Sequence, residues 1–263
     1  MRRLTRKARC GCSALRSDAW LNHFHKNRKR RSKIDWEREP KLTLENHGRL
    51  IRSIQAWQLG ETSDGAHLLK ATRGFLARFR HSARDRERYF EAVKLFIKEE
   101  QKHGENLGRY LDQVGAKRIR FDLGDTGFRM VRYLFHHMEI WSVSVLMVET
   151  TAQIYYKALR DSGRCELLSE ICADILVDEA HHLRFQIERI RFYYFGRGVI
   201  ARRVAALLYR SFYAVIVGAV WVAHHRAFRE GGLTFVKFWR VAWRKFLVHR
   251  RRIEEPGVVA EVF

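Results

Sequence analysis

Two Glu-x-x-His pairs, Glu100/His103 and Glu179/His182, stand on otherwise apolar helical stripes. Each is preceded by a lone glutamate on another stripe: Glu61 comes 39 residues before the first pair and Glu149 30 residues before the second. The i, i+3 spacing brings both side chains of a pair to one side of a helix, about one turn apart. A carboxylate on a buried helical face costs several kcal/mol unless it is paired, protonated or bound to a metal. This sequence puts one on each of four faces, so the fold must bury them together and compensate them together.

The stripes follow the 3.6-residue period and predict four long helices. The first spans about 44–73 with Leu50, Ile54, Trp57, Leu68 and Leu69 inward. The second starts at Ser82 and Asp85, which suit an N-cap, and ends at Gly115, with Phe90, Val93, Ile97, Leu107 and Leu111 inward. The third spans 125–162, stopped by Gly163, and the fourth about 166–196. Two prolines in 263 residues leave too little turn chemistry for an all-β fold. The expected class is all-α: a four-helix bundle over 44–196, a basic arm over 1–43, and basic C-terminal helices over 197–263 that pack on the bundle or on a partner.

Six ligands from four helices, two Glu-x-x-His pairs plus one glutamate from each remaining helix, make the donor set of a di-iron or di-manganese carboxylate bundle. Carboxylates bridge two metals and change denticity with oxidation state, while neutral imidazoles complete a mixed N/O shell that suits iron. Asp64, one turn after Glu61, is an alternative ligand or a support for it. Trp141, Tyr155 and Tyr156 fall near Glu149 at helical spacings and read as core, with a redox relay as the sharper reading. His181 points about 100° away from His182 and reads as peripheral. His67, His136, His137, His224 and His225 read as structural or exposed. Cys10 and Cys12 have no second pair to complete a metal site, and Cys165 and Cys172 read as reduced core thiols. Gly60, Gly65, Gly104 and Gly108 suggest close helix approach or a channel.

Over residues 44–196 the chain resembles the ferritin-like superfamily. Glu99-Glu100-Gln101-Lys102-His103-Gly104 is similar to the Glu-Glu-x-x-His-Gly of acyl-carrier-protein desaturases, and Ile171-Cys172 with Asp178-Glu179-Ala180-His181-His182 to their second motif. The Asp-Glu-Ala-x-His form also resembles the radical-generating subunit of ribonucleotide reductase. The resemblance implies Glu61, Glu100, His103, Glu149, Glu179 and His182 as ligands of two Fe ions, or of Mn or a mixed Mn/Fe pair. Glu100 and Glu179 would bridge, and Asp178 and Glu99 would accept from the ligand histidines. The desaturase threonine three residues after the third-helix glutamate is Ala152 here, so desaturation itself is not implied. The implied function is a non-haem oxidoreductase that activates O2 for an organic substrate. The alternatives are a ferroxidase or peroxide-reducing iron handler, and a basic binding protein with a structural dinuclear site.

The formal net charge is +22, unevenly spread. Residues 1–33 carry 12 Lys+Arg and one acid, Asp18, a net +11; residues 197–252 carry 13 and one acid, Glu230, a net +12. The body between them is nearly neutral. The basic ends suit an acidic partner: a carrier protein, an anionic membrane surface or nucleic acid, although no RNA-binding motif is present. An electron donor and a homodimer complete the expected partners. The run Lys26 to Lys33 reads as a solvated arm, dispensable for the metal site, with Trp20, Leu21 and Phe24 as anchors. Few cysteines, and no apolar segment after Arg2-Arg3, give a cytoplasmic expectation, with peripheral membrane association as its variant. The most apolar stretch, Val204 to Ala223, reads first as a buried helix across the end of the bundle. The second reading is a membrane-surface helix flanked by Arg202, Arg203, Arg226 and Arg229.

Overall fold

A computed structural model describes residues 15–78, 82–134 and 137–255, which form nine helices and, among the described residues, no strand. They are α1 (Ser17–Arg28), α2 (Leu44–Glu61), α3 (Ala66–Arg78), α4 (Ala83–Gln113), α5 (Leu123–Leu134), α6 (Met138–Asp161), α7 (Glu166–Phe195), α8 (Val199–Glu230) and α9 (Phe235–Glu254). α4 begins where Ser82 Oγ accepts the Asp85 amide at 3.0 Å, and α6 gives way to Gly163 at φ +63°. The bundle proper is α2, α4, α6 and α7, with α6 packed along α7 and α2 along α4. The fold class read from the sequence is therefore the observed one.

Four elements differ from the sequence reading. The first long helix is two, α2 and α3, because Gly65 sits at φ +69° and Asp64 Oδ1 accepts the Ala66 amide at 3.0 Å, starting a new helix. The third is also two, α5 and α6, and α6 starts after His137, whose backbone is extended. The N-terminal segment is anchored through Trp20 and Phe24, as read, but its basic run is not wholly solvated: Asn27 and Arg30 are half-buried and reach Glu99, Asp174 and Asp178. α1 packs on α4 and buries Trp20 and Phe24 against Phe185, at ring distances of 4.9 and 5.3 Å. Each such aromatic contributes about 1.5–3 kcal/mol by leaving water, enough to hold the helix down despite its basic tail. Finally, α8 is not a buried crossing helix. It is long and apolar enough to cross a membrane by length and composition, yet only 22% of its most apolar window is buried.

Two apolar clusters make up the core. One gathers Tyr110, Tyr155, Tyr156, Ile171, Phe228 and Phe238 beneath α8 and α9; the other joins α1, α3 and α4 through Phe24, Phe75, Phe96 and Phe185. The predicted metal-ligating residues lie where the two meet. His182 packs edge-on to Phe96 at 4.7 Å from the second cluster, and Tyr156 of the first donates to Glu61 Oε1 at 2.8 Å.

Candidate metal centre

All six residues come from the four bundle helices: Glu61 ends α2, Glu100 and His103 lie on α4, Glu149 on α6, and Glu179 and His182 on α7. Glu61, His103, Glu149, Glu179 and His182 are buried and Glu100 is half-buried. One ligand atom each from Glu100, His103, Glu179 and His182 falls within 4.8 Å of the others. Glu61 and Glu149 complete the ring of carboxylates around a cavity of about 100 Å³, which Glu100 and Glu179 also line. Asp64 caps α3 and is not part of this cluster.

The two histidines are held in a crossed arrangement. His103 Nε2 on α4 meets Asp178 Oδ2 on α7 at 3.1 Å, and His182 Nε2 on α7 meets Glu99 Oε2 on α4 at 2.9 Å. Each Glu-x-x-His helix thus orients the imidazole of the other. With Nε2–H donating to a carboxylate, Nδ1 carries the free lone pair, the tautomer a metal ligand needs. His103 Nδ1, Glu149 Oε2 and Glu179 Oε2 are buried with no hydrogen-bond partner, and His182 Nδ1 crowds Glu100 Oε1 at 2.6 Å. Native proteins rarely leave buried polar atoms unmatched. Unmatched N and O donors converging on one cavity are the donor chemistry that a pair of Fe or Mn ions takes, so the residues fit such a group.

The electrostatics show the same tension. Burial pushes the Glu61, Glu149 and Glu179 carboxyls well above the usual range, and the charge of Glu100 adds to each. Burial would raise Glu100 as well, but the charge and hydrogen bond of His182, with His103 behind it, bring it down to about 2. Burial opposes charging His182, yet Glu100 and Glu99 overcome it and raise its pKa well above the ordinary value. Metal-free, the centre thus holds a Glu100–His182 charge pair among carboxyls that resist ionising. Divalent cations would replace those protons.

The N-terminal segment supplies residues that sequence reasoning missed. Asn27 Nδ2 donates to Glu99 Oε1 and to Asp178 Oδ1, both at 2.8 Å, and Arg30 bridges Asp174 and Asp178 at 2.7 Å each. Against the effect of burial, the hydrogen bond and charge of His103, with Asn27 and Arg30 adding to them, hold the Asp178 carboxyl below the usual range. Nothing in the basic run 26–33 marks Asn27 and Arg30 apart from their neighbours. Gln186 and Arg189 were also missed: Gln186 Nε2 donates to Glu149 Oε1 at 3.4 Å, and the fully buried Arg189 donates to Gln186. Here a signal existed, because the α7 stripe continues from Glu179 and His182 through Gln186 at the helical period. His181 lies beside the site and stacks on His23 at 4.1 Å, and Cys165 and Cys172 are free buried thiols. Cys10, Cys12 and His136 lie outside the described residues.

Gly104 explains how α2 can end so close to α4. A Cβ there would meet Thr62 Cγ2 at 2.9 Å, Glu61 Cβ at 3.2 Å and the Glu61 carbonyl carbon at 3.3 Å. Gly104→Ala should therefore push Glu61 away from the cluster. The expected result is a loss of about 1–3 kcal/mol of stability, as for other overpacked cores, with weaker metal binding, read by thermal melts and metal titration.

The fold and site together define a ferritin-like carboxylate bundle. No protein-family model matches the sequence, and no curated protein matches it. Among solved structures the chain is similar to an R2-like ligand-binding oxidase with aerobically reconstituted Mn/Fe cofactor, with a TM-score of 0.63 at 17% identity, covering 90% of this chain and 92% of that one. A variant of an oxidase of that description with an anaerobically reconstituted Mn/Fe cofactor gives 0.64 at 16%, covering 90% and 93%. Another, aerobically reconstituted, gives 0.64 at 17%, covering 90% and 94%. At these identities the likeness establishes the ferritin-like fold.

Proposed function

We propose that the chain is a dinuclear-metal oxidase whose six ligands, Glu61, Glu100, His103, Glu149, Glu179 and His182, hold two Fe ions or a mixed Mn/Fe pair of the kind named for the similar structures. The observation that carries this reading is the convergence of unmatched His103 Nδ1, Glu149 Oε2 and Glu179 Oε2 on one cavity, with both imidazoles fixed from behind by carboxylates. When bound, such a pair supplies the redox chemistry for reducing dioxygen. The protein's own residues set the conditions. Asp178 and Glu99 hold the imidazoles in one tautomer. Gln186 steadies Glu149, and Tyr156 keeps a proton on its hydroxyl beside Glu61, its pKa raised by burial and by the Glu61 charge. Trp57, Leu68, Phe96, Trp141 and Val145 give the cavity apolar walls.

The surroundings favour an organic substrate over iron handling. A groove of about 390 Å³ lies between α2, α5, α6 and α8, and shares Trp57, Gly60, Asp125, Phe128 and Val148 with the metal cavity. Apart from Asp122, Asp125 and His224 its walls are apolar or glycine, and the two carboxylates are engaged by Arg52 and Arg129, which suits an apolar molecule better than an incoming cation. Sustained turnover requires an external electron donor. In an oxygen electrode, the chain loaded with iron, or with manganese and iron, should consume O2 on addition of a reductant, well above metal-free protein. Equal rates with and without protein-bound metal would refute the oxidase reading.

A further inference from the structure

We propose that the exposed face of α8 docks on an anionic lipid bilayer, with the helix lying in the plane of the membrane surface. Ile200, Val204, Leu207, Leu208, Val215 and Val222 lie along one face of α8 and are each between 53% and 79% exposed. At 1.5 Å per residue the row from Ile200 to Val222 runs about 33 Å. It contains no charged residue in its path, and apolar surface this continuous on a protein marks a docking face. The opposite face of α8 is already occupied. Tyr213 stacks on Phe246 of α9 at 4.7 Å, Phe228 on Phe238 at 4.2 Å, and the helix packs along α6 and α2. A helix held along its length by the body of the protein lies on a bilayer and does not cross it.

Charge selects the occupant. The exposed Arg203, Arg210, Arg226 and Arg229 lie beside and beyond the apolar row, and residues 197–252 carry a net +12. The single acid in that span, Glu230, is paired with Arg164 at 2.8 Å. A second copy would bring the same exposed arginines, Arg203, Arg210, Arg226 and Arg229, against this face, and a nucleic acid would leave the leucines and valines uncovered. Anionic headgroups over an acyl layer satisfy both the arginines and the apolar row. Half-buried Trp221, Trp239 and Trp243 on α8 and α9 provide the amphipathic rings that favour the headgroup level. Val215 and Ala219 also line the 390 Å³ groove, so docking sets the mouth of that groove against the membrane.

Flotation of the full-length, metal-free chain with vesicles tests this independently of the oxidase reading, because no metal is needed. The protein should float with phosphatidylcholine vesicles containing phosphatidylglycerol, and at least tenfold less with phosphatidylcholine alone or in high salt. Leu207→Glu/Val215→Glu, both exposed positions, should lose at least tenfold in partition while keeping the wild-type circular dichroism and melting temperature. Brominated lipid should quench tryptophan in the unmodified protein, a readout that needs no variant. Three results would overturn the proposal: absence of flotation and quenching, flotation unaffected by the two glutamates, or a dimer in light scattering that the same substitutions dissolve.

Discussion

Glu179→Gln is expected to remove stoichiometric metal binding while making the metal-free protein more stable. Glu179 is buried, and burial together with the charges of Glu100 and Glu149 pushes its carboxyl well above the usual range. A neutral amide of the same shape removes one member of this repelling group. The amide cannot ionise, so it spares the fold the cost of charging this carboxyl as pH rises, about 1–4 kcal/mol for poorly compensated buried charge. The same change deletes a donor atom that the metal pair needs, so occupancy should fall from about two ions per chain to below one. The pH dependence has a definite sign. A carboxyl raised in the folded state binds more protons there than in the unfolded chain, so its contribution is full below the ordinary carboxylate range and is lost as pH rises through the raised value. The raised His182 acts with the same sign higher up, while the depressed Glu100 titrates near 2, below the window. Metal-free wild type should therefore lose melting temperature relative to Glu179→Gln as pH rises above the ordinary carboxylate range, whereas metal-loaded protein should not. A variant that melts lower than wild type when both are metal-free would contradict this.

Arg30→Ala combined with Asn27→Ala should weaken metal binding by about 10–100-fold, although neither side chain is among the six proposed ligands. Asp178 is fully buried and fixes His103, and two of its hydrogen-bond partners, Arg30 and Asn27, come from the N-terminal segment. Removing both leaves a buried carboxylate with too little compensation, a change worth about 3–5 kcal/mol in comparable buried pairs. The sequence reading treats this segment as dispensable, and the difference is measurable. Isothermal titration with Mn(II) should show weaker binding and a lower melting temperature, and Arg30→Lys should recover part of both. Unchanged affinity in the double variant would show that the metal ligands do not depend on these contacts.

The bundle and the gathering of its carboxylates and imidazoles at one place were legible because burial and periodicity pointed the same way. A glutamate on an apolar stripe is costly, so four of them at matched spacing carry information that a surface glutamate does not. His103 and His182 were readable for the same reason, and so were the caps at Ser82 and Gly163. What the periodicity could not show was where a helix pauses without losing phase. The pattern runs on through Thr62 to Gly65, while the local hydrogen bond from Ala66 to Asp64 starts a new helix. Asn27 and Arg30 were invisible because their meaning lies in long-range contact with Glu99, Asp174 and Asp178, and a basic run looks alike whether it faces water or buried carboxylates. The apolar stretch of α8 was misread because composition cannot say which face of a helix is covered.

Four helices bring six residues together around one cavity, in the arrangement proposed to hold two metal ions. Anaerobic titration of the full chain with Fe(II), followed by O2 and Mössbauer spectroscopy, tests it most directly. The expected result is uptake of about two ions per chain and, after oxygen, an antiferromagnetically coupled diferric signal. A chain that binds one ion or none, or whose irons stay magnetically isolated, would contradict it.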